Sequence, residues 1–65
     1  MVIIRIGEGR IATGKILERD THYYTIDEKE DAIEDVINTG RQYRIYISRH
    51  NKKYEHITFD ELKEL

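Results

Sequence analysis

Residues 27–40 read DEKEDAIEDVINTG, and their period decides the fold class. Ala32, Ile33, Val36 and Ile37 recur at a spacing that lines one side of an α-helix, and the residues between them are acidic or polar. Asp27 sits where a cap is wanted, with Glu30 three residues on in capping-box spacing. Acids crowd the first turn, where the helix dipole favours negative charge. Gly40 closes the segment at the position that calls for a left-handed residue. The stretch predicts one amphipathic helix.

On both sides of it the period falls to two. Upstream, Val2 to Ile6 reads as a strand closed by Gly7-Glu8-Gly9. Arg10 to Leu17 resumes as a second strand, in which Gly14 marks a bulge or a close backbone approach. His22 to Ile26 has the aromatic and β-branched residues of a third. Short connections predict an antiparallel meander of these three. Downstream, Tyr43, Ile45 and Ile47 alternate with Arg44, Tyr46 and Ser48. Beyond a turn at His50-Asn51-Lys52, the stretch from Lys53 to Phe59 carries Ile57 and Phe59 in one parity. A hairpin loop of odd length places Ile45 opposite Ile57 and Tyr43 opposite Phe59, whereas a two-residue loop would split these apolar residues between faces. Thr58 and Glu61 repeat the capping-box spacing, and Phe59, Leu62 and Leu65 suit a short helical turn over the sheet edge. The expected class is α+β: a small antiparallel sheet in the order β-β-β-α-β-β, one amphipathic helix packed on one face, and a short C-terminal helical turn.

At 65 residues the chain is a single domain, 1–65, close to the size at which a core barely suffices. It has no cysteine, so neither disulfides nor Cys-based zinc sites support it. Eleven isoleucines, with Val2, Val36, Leu17, Leu62, Leu65, Phe59 and some of the tyrosines, must supply the core. The longest apolar run, Met1 to Ile4, is far too short for a membrane span or a signal peptide, and a cytoplasmic location is expected.

Charge is sorted along the chain. The formal net charge is only −2, but the stretch from Asp27 to Asp35 carries six carboxylates against Lys29 alone. The stretch from Arg41 to Tyr54 carries Arg41, Arg44, Arg49, Lys52 and Lys53 with no acid, and Tyr43, Tyr46, Tyr54 and His50 lie among them. A local patch, more than the total, sets what a surface attracts. Arg41, Arg44, Tyr46, Arg49, His50, Lys52 and Lys53 are therefore the candidate binding residues, on the outer face and tip of the expected hairpin. Cations that track phosphates beside tyrosines that stack on bases suit nucleic acid. The competing explanation is a solvated hairpin whose cations pair with the acidic helix and keep an exposed strand from aggregating.

The other chemistry-bearing groups point to no reaction. The acidic run lacks the alternating ligands and central glycine of a calcium loop, and helix capping accounts for it. His22, His50 and His56 have no metal-ligand spacing, so neither a metal nor another cofactor is expected. There is no cysteine nucleophile, no GxSxG elbow and no P-loop, and Gly7-Glu8-Gly9 lacks the third glycine of a phosphate-binding turn. An enzyme is not expected. Tyr23 and Tyr24 must face opposite ways in a strand, and if the exposed one shares a face with Tyr46 an aromatic platform results. Two functions fit these features. The first is a small protein-interaction module, regulatory or inhibitory, that binds a larger partner or itself. The second is a nucleic-acid-binding module using the hairpin 41–54. An acidic net charge favours the first.

Overall fold

A computed structural model describes residues 1–7, 21–50 and 52–65. The elements are β1 (Val2–Ile6), β2 (His22–Thr25), a single 3-10 turn at Ile26–Glu28 that runs into α1 (Lys29–Thr39), β3 (Ile45–Arg49), β4 (Glu55–His56) and α2 (Phe59–Lys63). The four strands form one antiparallel sheet in the order β2-β1-β3-β4, with α1 and α2 packed on one of its faces. This is the expected α+β class.

Strand order departs from the expected meander. β1 lies in the middle, paired on one side with β2 (Ile4 opposite Tyr24) and on the other with β3 (Ile4 opposite Ile47). β2 and β3 therefore run parallel to each other with β1 inserted between them, a split β-α-β unit whose crossover is α1. The physical reason is in the side chains: Val2, Ile3, Ile4 and Ile6 make β1 the most apolar strand, and an edge position would leave that backbone open to pairing with other chains. The expected strand from Arg10 to Leu17 lies outside the described residues.

The core faces the helices. Ile4, Ile6, Ala32, Val36, Ile45 and Leu62 are completely buried, with Ile47 and Ile57 nearly so. Burying one such aliphatic side chain contributes about 1.5–3 kcal/mol, which makes these few positions decisive in a chain of this size. Of the expected helical stripe, Ala32 and Val36 are buried and Ile33 half-buried, but Ile37 is 63% exposed. The stripe is centred on the 32/36 line, and a residue one step past Val36 is turned about 100° away from it.

Helix termini follow local chemistry. The first cap lies upstream of the expected Asp27 and Glu30: Thr25, extended at the end of β2, donates its N–H to Glu28 Oε1 at 2.9 Å, and its hydroxyl donates to the same oxygen at 3.1 Å. Asp27 already lies inside the 3-10 turn, so it cannot serve as the extended cap residue. Gly40 (φ 69°) ends α1 in the left-handed region and donates its N–H to Val36 O at 2.9 Å, as expected. Thr58 and Glu61 form the expected capping box, Glu61 N–H donating to Thr58 Oγ1 at 3.1 Å and Thr58 N–H to Glu61 Oε1 at 2.9 Å. Those bonds from Thr58 hold the Glu61 carboxyl below its ordinary pKa.

The hairpin keeps the expected register, with Tyr46 opposite His56 and Ile57 N–H donating to Ile45 O at 3.0 Å. It is shorter than expected. β4 holds two residues, Phe59 opens α2 instead of pairing, and Tyr43 lies before β3 with 84% of its surface exposed. The Thr58–Glu61 cap takes the chain out of the sheet before the Tyr43–Phe59 pairing is reached.

Candidate functional site

Alternation along the strands gives the sheet a second face, over which no described helix lies. One row crosses all four strands: Tyr23, Arg5, Tyr46 and His56, fixed by the pairings Arg5 with Tyr23, Arg5 with Tyr46, and Tyr46 with His56. The next row holds Thr25, Ile3 and Ser48. The exposed member of the Tyr23-Tyr24 pair thus does share a face with Tyr46, and Arg5 stands between the two.

Arg5 organises this face. Its guanidinium carbon lies 4.4 Å from the ring centre of Tyr46 and 4.5 Å from that of Tyr54. Each cation–π contact contributes about 0.5–2 kcal/mol, depending on how far it is desolvated. Tyr46 meets His56 edge to face, with ring centres 5.4 Å apart and planes at 72°. His56 Nε2 lies 3.1 Å from Tyr43 O, and since a carbonyl only accepts, the proton in this bond is on Nε2. Arg5 Nε is buried and has no hydrogen-bond partner. Leaving such a donor unsatisfied costs about 1–3 kcal/mol, which offsets much of what the two rings contribute. Arg5 was absent from the sequence-derived candidates, because a lone arginine in an apolar strand carries no spacing signal.

The predicted site residues do not form one surface. Tyr46 lies on the helix-free face. Arg44 is exposed just before β3, its N–H donating to Arg41 O at 3.0 Å, and Arg41 is half-buried after Gly40. Arg49 has the parity of Ile45 and Ile47, so it belongs to the helix side, where its charge is felt by Glu61. Arg49, His50, Lys52 and Lys53 line a cleft of about 220 Å³ together with Ile47 and Glu55. Tyr46 and Arg49 are three residues apart in a strand and point to opposite sides, so the candidates divide between the outer face and the tip.

Hydrogen bonds tie the described residues of the tip together. His50 takes a positive φ of 55° and donates its N–H to Met1 O at 3.0 Å; Lys52 N–H donates to Arg49 O at 3.0 Å and Ser48 Oγ to Lys52 O at 2.5 Å. Ser48, although on the outer-face parity, is buried. Among the described residues, Lys63 Nζ lies 3.4 Å from Asp60 Oδ1 and His22 Nδ1 lies 2.6 Å from Asp35 Oδ2.

A second cleft, of about 320 Å³, lies between β2 and α1 and is lined by His22, Tyr24, Asp31, Glu34, Asp35 and Asn38. Asp35 Oδ2 accepts from the Tyr24 hydroxyl at 2.7 Å and lies 2.6 Å from His22 Nδ1. Burial, then the hydrogen bond to Asp35, then the charges of Asp35, Asp31 and Glu28 push the Tyr24 phenol up to about 12. Asp35 is thus a strut between strand and helix, a role that the crowding of acids hid in the sequence. Among the described residues no group of three or more histidines and carboxylates is placed to hold a metal ion, and no helix is long and apolar enough to cross a membrane.

Comparison of the chain with protein-family models, with curated proteins and with solved structures returns no match, so its own geometry carries the functional reading.

Proposed function

We propose that this chain is a non-enzymatic protein-interaction module that docks another protein on the helix-free face of its sheet. The composition of that face carries the reading. Tyr23, Arg5, Tyr46, Tyr54 and His56 stand there with Ile3, Thr25 and Ser48, without a lysine or a carboxylate among them. Charged residues make up 37% of the whole chain, and among the described residues of these rows Arg5 is the one that carries a permanent charge. Tyrosine and arginine are enriched at the centres of protein interfaces, and lysine, aspartate and glutamate are depleted. A module of this size acts by covering a surface of a larger partner, which makes it regulatory or inhibitory.

Charge disfavours a second copy as the occupant. Two such faces opposed across a twofold axis would set Arg5 of one copy against a face whose described residues carry the other copy's Arg5 and no acid. For nucleic acid, Arg5 takes up one face each of Tyr46 and Tyr54 that could stack on bases, and Arg49 points to the other side of the sheet. What favours that second reading is the tip cleft, where Arg49, His50, Lys52 and Lys53 converge.

Titration of the isotopically labelled chain, followed by NMR, separates these readings. Peptides selected against the chain from a random library are expected to shift Arg5, Tyr23, Tyr46, Tyr54 and His56. Single- and double-stranded oligonucleotides are expected to leave Arg49, His50, Lys52 and Lys53 unmoved at low salt. Oligonucleotide binding that moves those four and weakens steeply with salt would overturn the proposal in favour of nucleic acid. A dimer in light scattering that Tyr46→Ala dissociates would replace the foreign partner with a second copy.

A further inference from the structure

We infer that Arg5 selects the partner, by receiving an aspartate or glutamate side chain of the docking protein on the end of its guanidinium. The inference rests on the sheet-face reading above and names the chemistry of that same site. Its first support is the pairing of Tyr46 and Tyr54 around the cation, at 4.4 and 4.5 Å, which fixes the plane of the guanidinium before a ligand arrives. Arginine presents its donors as a rigid planar fork that matches a carboxylate, and holding the fork still reduces the entropy lost on binding.

The second support is the orphaned Nε, which is buried and has no acceptor. An arginine retained only to brace the sheet would be expected to satisfy that donor, as buried polar groups generally do. Here the inner end of the group is enclosed by the face and unpaired. The half-buried side chain thereby presents its terminal amines as the donors that a partner can reach. The third support is electrostatic. The described residues around Arg5 on this face (Ile3, Tyr23, Thr25, Tyr46, Ser48, Tyr54 and His56) include no carboxylate, so none of them neutralises the guanidinium. Arg5 also lies on the central strand, with one strand on its β2 side and two on its β3 side, where an interface excludes water best.

The experiment uses a library-selected peptide that shifts the sheet face, together with its analogue in which Asp and Glu are replaced by Asn and Gln. The analogue is expected to bind the wild-type chain at least about tenfold more weakly, the loss typical of a charge-assisted hydrogen bond. Arg5→Gln is expected to bind both peptides alike. In case that variant folds poorly, the wild-type Arg5 Nε–Hε resonance gives an independent readout, expected to move with the acidic peptide and to stay in place with the analogue. Equal binding of both peptides to the wild-type sheet face would overturn the role of Arg5 and leave the sheet-face reading standing. Failure of every selected peptide to shift the face would overturn both.

Discussion

The two faces of the sheet are built by the same strands, yet they are finished in opposite ways. On the helix side, Ile4, Ile6, Ile45 and Ile47 meet Ala32, Val36 and Leu62 in one apolar cluster. On the other side, the residues between those isoleucines are Arg5 and Tyr46, which pack on each other, with Tyr54 also against Arg5, and no described helix lies over them. The first face is apolar and closed, which is what holds so short a chain together. The second combines aromatic area with an arginine whose Nε is unsatisfied, an arrangement that gives up stability where an apolar residue would not.

Ile47→Ala breaks the comparison most directly. Removing a side chain that is 2% exposed should cost about 2–5 kcal/mol and leave the chain largely unfolded, as read by circular dichroism and thermal denaturation. A loss below about 1 kcal/mol would mean that the helix-covered face is not the stabilising one.

Tyr24 tests the join between sheet and helix. Its folded pKa, about 12, lies above the ordinary tyrosine value, so its contribution is fully present below the unfolded pKa of about 10 and is lost as pH rises from there through the folded value. Ultraviolet titration should show one phenol ionising late. Denaturant melts should show stability falling across that window, and Tyr24→Phe should remove that part of the fall. An unchanged pH profile in the variant would dismiss the Tyr24–Asp35 contact as a stabilising strut.

The smallest effect is expected from Tyr23→Ala on the open face. Tyr23 is 53% exposed, so its removal should change stability by no more than about 0.5 kcal/mol while weakening any partner held on that face. A large loss of stability instead would show that the open face is part of the fold's own support, and the contrast between the faces would collapse.

Local rules made much of this legible in advance. The capping box of Thr58 and Glu61, the left-handed Gly40 and the odd hairpin register all depend on contacts within a few residues, and spacing exposes them. The candidate site was legible only in part. Tyr46 was placed on the outer face by alternation, but its partners Arg5 and Tyr54 come from a strand 41 residues earlier and from beyond the turn, and nothing in the spacing joins them. Charge counting ignores parity, and the strand turns Arg49 away from the face that holds Tyr46.

Periodicity, capping residues and glycine positions thus determined by themselves that this chain is one helix against a small antiparallel sheet, because each acts over a turn or a strand. Tertiary structure alone decided that β1 is central, that Asp35 ties Tyr24 and His22 to the helix, and that Arg5 lies between two tyrosines. Those outcomes depend on which strands pair, and pairing across long loops is settled by burying the most apolar strand in the middle, a property of the whole chain that no local segment encodes.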